Sequence, residues 1–248
     1  MKLKPAFAVF VLLAALCSYP LKAQQTVNFD VRGQLRPINH TVLAAGIAGR
    51  IDVFKVVVGT QVEKGDMLLE MDCREVEAQL AISAAQIQAA NSRHTVNERL
   101  ADANNISLLE YDLSLAALAV ARAERQKVLA QQQFCLIEAP FSGVVTNKSA
   151  QAFQHVQIGQ PLLEIIDNSS LEVEAVVPSS WLSQNALDRG FTILIDETNT
   201  AHQGKFDRTA GVVDPVSQTV RLIGHLIEPP SQLIAGMSGK ISLVDAQQ

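Results

Sequence analysis

Aromatic residues are scarce in this chain: of 248 residues, one is Trp and two are Tyr. That leaves no material for a ligand cage of stacked rings. Charge of one sign never gathers into a block. The net charge is −5 with acids and bases interspersed, so no nucleic-acid partner and no acidic tail are expected. No G-x-S-x-G, H-E-x-x-H, C-x-x-C or P-loop pattern occurs. His40, His94, His155, His202 and His225 are scattered without metal-ligand spacing. Met67 and Met71 point the same way on a short predicted strand, where core packing is the expected role. No catalytic, cofactor or metal residue is assigned, and an enzyme is not expected.

Long apolar runs are missing apart from one. Ala6 to Leu16 spans eleven residues, too few to cross a bilayer of roughly 30 Å as a helix. Lys2 and Lys4 precede it, and Pro20 and Ala23 follow. Residues 1–23 therefore read as an export signal cleaved before Gln24, with an uncleaved anchor as the alternative. Bulky Leu16 stands before Cys17, where a lipidation signal wants a small residue. The mature chain is expected to be soluble in an exported compartment.

Glycine and proline vanish altogether between Arg74 and Gln133. Ala, Leu, Gln, Glu and Arg dominate there, which favours helix. Val76, Leu80, Ile87 and Ala90 recur at helical spacing, and so do Leu108, Tyr111, Leu115 and Leu118. Asp102-Ala103-Asn104-Asn105 interrupts the pattern with turn-forming residues. Ser107 is placed to cap a second helix, with Glu110 as its capping-box partner. The expectation is an antiparallel pair of helices, each about 28 residues and so roughly 42 Å long. The stripe is narrow and Ala-rich, which suits a two-helix coiled coil; a globular helical domain is the alternative.

Flanking this stretch, two segments match at an offset of 94 residues. Ala45 pairs with Ala139, Gly49 with Gly143, Val62 with Val156 and Gly65 with Gly159. Leu68-Leu69-Glu70 pairs with Leu162-Leu163-Glu164, and Ile51 stands opposite Val145. Such a repeat implies two similar supersecondary units. Each reads as short strands broken by Gly turns, too small to hide its apolar face alone. The two halves are expected to pack as one β-sandwich over residues 40–72 and 136–168.

Outside the signal, two cysteines remain. An antiparallel hairpin with its tip near Asn104 brings together residues whose numbers add to about 208, and Cys73 and Cys135 meet that condition. They are expected to face each other at the hairpin's base, either as a disulfide or as two reduced thiols. From Leu171 onward, short strands at Leu171 to Val177, Phe191 to Ile195, Gly204 to Val213, Thr219 to Ile227 and Lys240 to Val244 predict a small β-barrel over residues 169–248. Pro178 to Leu187 reads as a short helix between the first two. Residues 24–39 form a separate N-terminal segment in this division.

The whole is mainly β: a split lipoyl-like β-sandwich, an inserted α-helical hairpin over 73–135, and a small barrel. Ala48-Gly49-Arg50-Ile51, Val58 to Asp72, Ile137 to Val145, Gly211 to Pro215, Ser217 to Val220 and Leu233 to Gly239 occur in this order. With them the chain resembles the periplasmic adaptor, or membrane fusion, family (HlyD-like, RND-type) of tripartite efflux pumps and secretion systems.

The resemblance implies a periplasmic protein associated with the inner membrane. Its implied partners are an inner-membrane transporter of RND, ABC or major-facilitator type, an outer-membrane TolC-type channel, and further copies of itself in a ring. It implies channel contact at the hairpin tip, carried here by Leu100, Asn104, Asn105 and Ser107. Leu100 also reads as a seam residue and Ser107 as a cap. The Arg of the family's tip pattern is replaced by Val96. The membrane-proximal domain usual in RND-associated adaptors is not expected in the stretch given. The half-motifs also resemble lipoyl and biotinyl carriers, a rival function. Carriers hold a modified Lys in the turn joining the halves, whereas the hairpin occupies that junction here.

Overall fold

A computed structural model describes residues 31–183, 185–187, 189–228 and 232–244. The export signal lies outside the described residues. No helix among them is long and apolar enough to cross a membrane.

Strands β2 (His40–Ala44), β3 (Gly49–Phe54), β4 (Gln61–Val62) and β5 (Met67–Met71) precede helices α1 (Arg74–Asp102) and α2 (Leu108–Gln132). Strands β6 (Leu136–Glu138), β7 (Gly143–Lys148), β8 (His155–Val156) and β9 (Pro161–Ile166) follow. They form two four-stranded sheets, ordered β2-β9-β7-β4 and β6-β5-β3-β8. Shifting one order by the sequence repeat gives the other: β2 corresponds to β6, β9 to β5, β7 to β3 and β4 to β8. The sandwich is thus a pseudo-twofold object in which each sheet takes strands from both halves. Neither half can complete a sheet without the other.

The repeated apolar residues are its core. Ile51, Val62, Leu68 and Leu69 from one half meet Val145, Val156, Leu162 and Leu163 from the other, all buried. Burying each such side chain contributes about 1.5–3 kcal/mol. The turns repeat as well. Val57 and Glu63 N–H groups donate to the Thr60 and Asp66 side chains, and Gln151 and Gln157 donate likewise to Gln154 and Gln160. Gly65 and Gly159 both adopt positive φ, +91° and +81°, which glycine reaches without a Cβ clash.

The second body is a closed six-stranded barrel. Its strands are β1 (Arg32–Pro37), β10 (Leu171–Pro178), β11 (Gly190–Ile195), β12 (Thr200–Asp214), β13 (Thr219–Leu226) and β14 (Ser238–Leu243), joined in the order β1-β10-β13-β12-β11-β14. Val173, Ala175, Val177, Phe191, Ile193, Phe206 and Leu222 fill it, with the Phe191 and Phe206 ring centroids 4.4 Å apart. Among the described residues between β10 and β11, only Ser180–Ser183 is helical (α3), shorter than the helix expected over Pro178 to Leu187.

The structure redraws the expected domain division at one place. β1 belongs to the barrel, which it closes between β10 and β14, and is no part of a separate N-terminal segment. Its inward face is only Gly33 and Leu35. A Cβ at Gly33 would lie 2.3 Å from the terminal methyl of Ile241, which would have to shift. Two inward residues, one of them glycine, make too short an apolar alternation to announce a strand.

Candidate functional site

The helices leave the sandwich side by side and stand as a two-helix rod. Its seam follows a 4-3 spacing on both chains. Val76, Leu80, Ser83, Ile87, Ala90, His94, Asn97 and Ala101 face Tyr111, Ser114, Leu118, Ala121, Arg125 and Val128, and all are buried or half-buried. This is the repeat of a left-handed coiled coil. Leu108 and Leu115, expected in the seam, lie outside it, 75% and 46% exposed. They share a helical period with Leu118 only loosely, and the small Ser114 takes the inward position.

The seam has two zones. Toward the base it is apolar apart from Ser83 and the flanking Arg125. Toward the tip it is polar. The Ser114 hydroxyl donates to the Tyr111 carbonyl at 2.7 Å, so its oxygen accepts from Nδ1–H of His94 at 3.1 Å. The His94 and Tyr111 rings lie 5.5 Å apart. Buried polar groups at seam positions cost stability and fix register.

At the tip, α1 closes through backbone bonds from Ala103 to Arg99, Asn104 to Ala101 and Asn105 to Leu100, at 3.2, 2.9 and 2.8 Å. Asn104 sits at φ +55°, a conformation Asn tolerates better than most residues. Ser107 caps α2 by accepting the Glu110 N–H at 3.2 Å. Leu100, Asn104, Asn105 and Ser107 are brought together here, all exposed. Beside them, between the helices, runs a groove of about 350 Å³ lined by Arg93, Asn97, Ser107, Leu109, Leu113 and Ala117. Leu109 and Leu113 are large and exposed, as is Val96 on α1. Spacing alone did not single out Leu109 and Leu113, because they lie off the seam.

At the base, Cys73 and Cys135 are bonded, with their Cα atoms 5.8 Å apart. Cys73 occupies the N-cap position of α1, and Glu75 and Glu77 in the first turn complement the helix dipole. Asp72 accepts from Arg74 Nη2 at 2.6 Å and Nε at 2.9 Å. Those bonds and the Arg74 backbone N–H, with lesser help from the Arg74 and Arg50 charges, hold its carboxyl at about 2 against the opposing effect of desolvation. The Phe134 ring lies over Gly46, where any Cβ would come within 2.2 Å of a ring carbon. Bridge, ion pair and ring contact together mount the rod on the sandwich.

Among the described residues no group of three or more His, Cys, Asp or Glu side chains is placed to hold a metal ion. Met71 is buried in the sandwich core.

The geometry is that of a split sandwich carrying a helical rod, followed by a barrel. The pattern of the family described as RND MFP, barrel-sandwich hybrid domain, matches residues 39–167, the sandwich together with the rod. The chain belongs to this family of membrane fusion proteins, which are linkers and not enzymes. It is 25% identical over 252 residues to the toluene efflux pump periplasmic linker protein TtgD of Pseudomonas putida, covering 93% of this chain and 65% of that one. It is 26% identical to the multidrug resistance protein MdtA of Proteus mirabilis, covering 85% of this chain and 57% of that one. The chain spans between 42% and 65% of the length of the first curated relatives it matches. A crystallised MacA–MexA chimera carrying the Pseudomonas aeruginosa MexA α-hairpin shares the fold. Its TM-score is 0.73 at 20% identity, covering 86% of this chain and 79% of that one.

Proposed function

We propose that this chain is an exported periplasmic adaptor linking an inner-membrane transporter to an outer-membrane channel, with several copies acting as a ring. The observation that carries this reading is the rod. Two helices of 29 and 25 residues project from the sandwich and pack on each other, ending in a tip where Leu100, Asn104, Asn105 and Ser107 are exposed. A length of roughly 40 Å at 1.5 Å per residue suits a spacer between bodies set apart. In this reading Leu100, Asn104, Asn105 and Ser107 touch a TolC-type channel. The transporter, of RND, ABC or major-facilitator type, meets the other end of the molecule. Val96 stands where the family's tip pattern has Arg, so that position brings no charge to the contact. The carrier reading is not favoured, because helices fill the junction where a modified lysine would sit.

Ser107 provides the test. A Ser107→Trp variant is expected to export at least tenfold less, with unchanged circular dichroism. Ser107→Ala removes the cap without adding bulk, costs about 1 kcal/mol, and is expected to export normally. Normal export by Ser107→Trp would remove the tip from the proposed contact.

A further inference from the structure

The barrel and the sandwich share no core residue. Their strands scarcely touch across the divide. Two bodies with so little common interface move against each other by default. Two crossings join them among the described residues: Ile38-Asn39 leads from β1 to β2, and Asp167 to Ser170 leads from β9 to β10. β1 pairs with β10 as far as Pro37 and Leu171, and β2 pairs with β9 from His40 and Ile166. The crossings are thus the middle of one two-stranded ribbon, where two residues on one side face four on the other. Such a bulge lets a ribbon bend. A cleft of about 600 Å³ lies beside it, with Gln61, Glu63, Asp66 and Ser142 on one side and Asn168 and Ser169 on the other. Packing does not brace the joint there.

Asp167 stands in this joint, 8% exposed, and is the one buried charged residue among the described residues. Burying a carboxylate is costly unless donors surround it. Oδ1 accepts from the Ser169 N–H at 2.8 Å and from the Ser169 hydroxyl at 2.6 Å, and Oδ2 accepts from Asn39 Nδ2 at 3.2 Å. The Asp167 N–H donates to the Asn39 carbonyl at 2.9 Å, and the Ile38 N–H to the Ser170 carbonyl at 3.0 Å. Beside it, Asn168 Oδ1 accepts the Ala235 N–H of the barrel at 3.1 Å. Burial opposes the charge, but the Ser169 and Asn39 donors outweigh it and hold the carboxyl below the usual carboxylate range. The carboxylate therefore ties the turn of its own crossing, through Ser169, to the other crossing, through Asn39.

We infer that Asp167 is a positioning residue, which sets the angle at which the sandwich and its rod stand on the barrel. The inference rests on the bridging role proposed above, since a bridge must hold its two ends in fixed relation to reach two partners at once. Spin labels on Lys55→Cys in the sandwich and Lys205→Cys in the barrel, both exposed, read that relation in purified protein, the native cysteines being already bonded. A narrow distance distribution is expected. Asp167→Ala is expected to at least double its width and to lower export at least fivefold. Asp167→Asn keeps an acceptor for Ser169 and presents a donor to a flipped Asn39 amide, so it is expected to restore both. Leu163→Ala, which opens a cavity in the sandwich core, is expected to lower Tm and leave the width unchanged. A broad distribution in the parent chain, an unchanged width in Asp167→Ala, equal broadening by Leu163→Ala, or full export through a broadened joint would each overturn the assignment. The width is read without any partner, so its failure is distinct from a failure of the hairpin tip to capture a channel.

Discussion

Replacing Leu118 by Asp is expected to collapse the rod and leave the two β bodies folded. Leu118 is buried in the apolar zone of the seam, one of only five large aliphatic residues that hold the helices together, with Val76, Leu80, Ile87 and Val128. An ionised carboxylate there has no partner. Burying an uncompensated charge costs about 3–5 kcal/mol, and the lost leucine packing adds to that. The helices depend on that packing, because most helical stability in proteins comes from an amphipathic face packed on a partner and little from propensity. Nearly all helix in the described chain is α1 and α2, against four residues in α3. Ellipticity at 222 nm is therefore expected to fall by more than half, and export to background. The barrel and sandwich cores, built from other residues, keep their cooperative thermal transition. Retention of full helical signal would mean that the rod is held by something other than its seam.

The second large effect concerns the base. We propose that the Cys73–Cys135 bond forms in the exported protein. It closes a loop with a sequence separation of 62 residues, for which the chain-entropy model gives about 4 kcal/mol of stabilisation. Changing both cysteines to serine is expected to lower Tm by roughly 8–16 °C for a chain of this size. Protein purified from its compartment is expected to show neither thiol alkylated until it is reduced. Two alkylatable thiols in that material, or a Tm unmoved by the double substitution, would leave the rod without its staple.

The repeat, the helical stretch and the cysteine arithmetic were legible because each depends on spacing alone. The 94-residue offset picked out the residues that the structure buries, since a repeated fold must bury the same positions twice. What stayed hidden depends on partners distant in sequence. β4 and β8 are two residues each, too short for any periodicity, and the pairings of β2 with β9 and of β5 with β6 that interlock the halves have no local signature. β1 pairs with strands that begin more than 130 residues later, so its membership in the barrel has no local signature. In the hairpin, a stripe counted from leucines missed the polar half of the seam. Ser83, His94, Asn97 and Ser114 occupy inward positions that hydropathy assigns to solvent. Leu108, Leu109 and Leu113 face outward, where the same scale assigns a core. The turn at Asn104 and the Ser107 cap were legible because turn chemistry and capping are local. The flank beside them was not, because it is defined by two helices at once.

The most direct measurement is made at the end of the rod. Asn105 is exposed and adopts no strained backbone, so a photo-crosslinking amino acid fits in its place without disturbing the turn. Illumination of living cells is expected to join that position to an outer-membrane channel, and the adduct is expected to disappear in the Leu118→Asp background. An adduct with an inner-membrane transporter, with an enzyme bearing a modified lysine, or with no protein but this chain itself would contradict the bridging role.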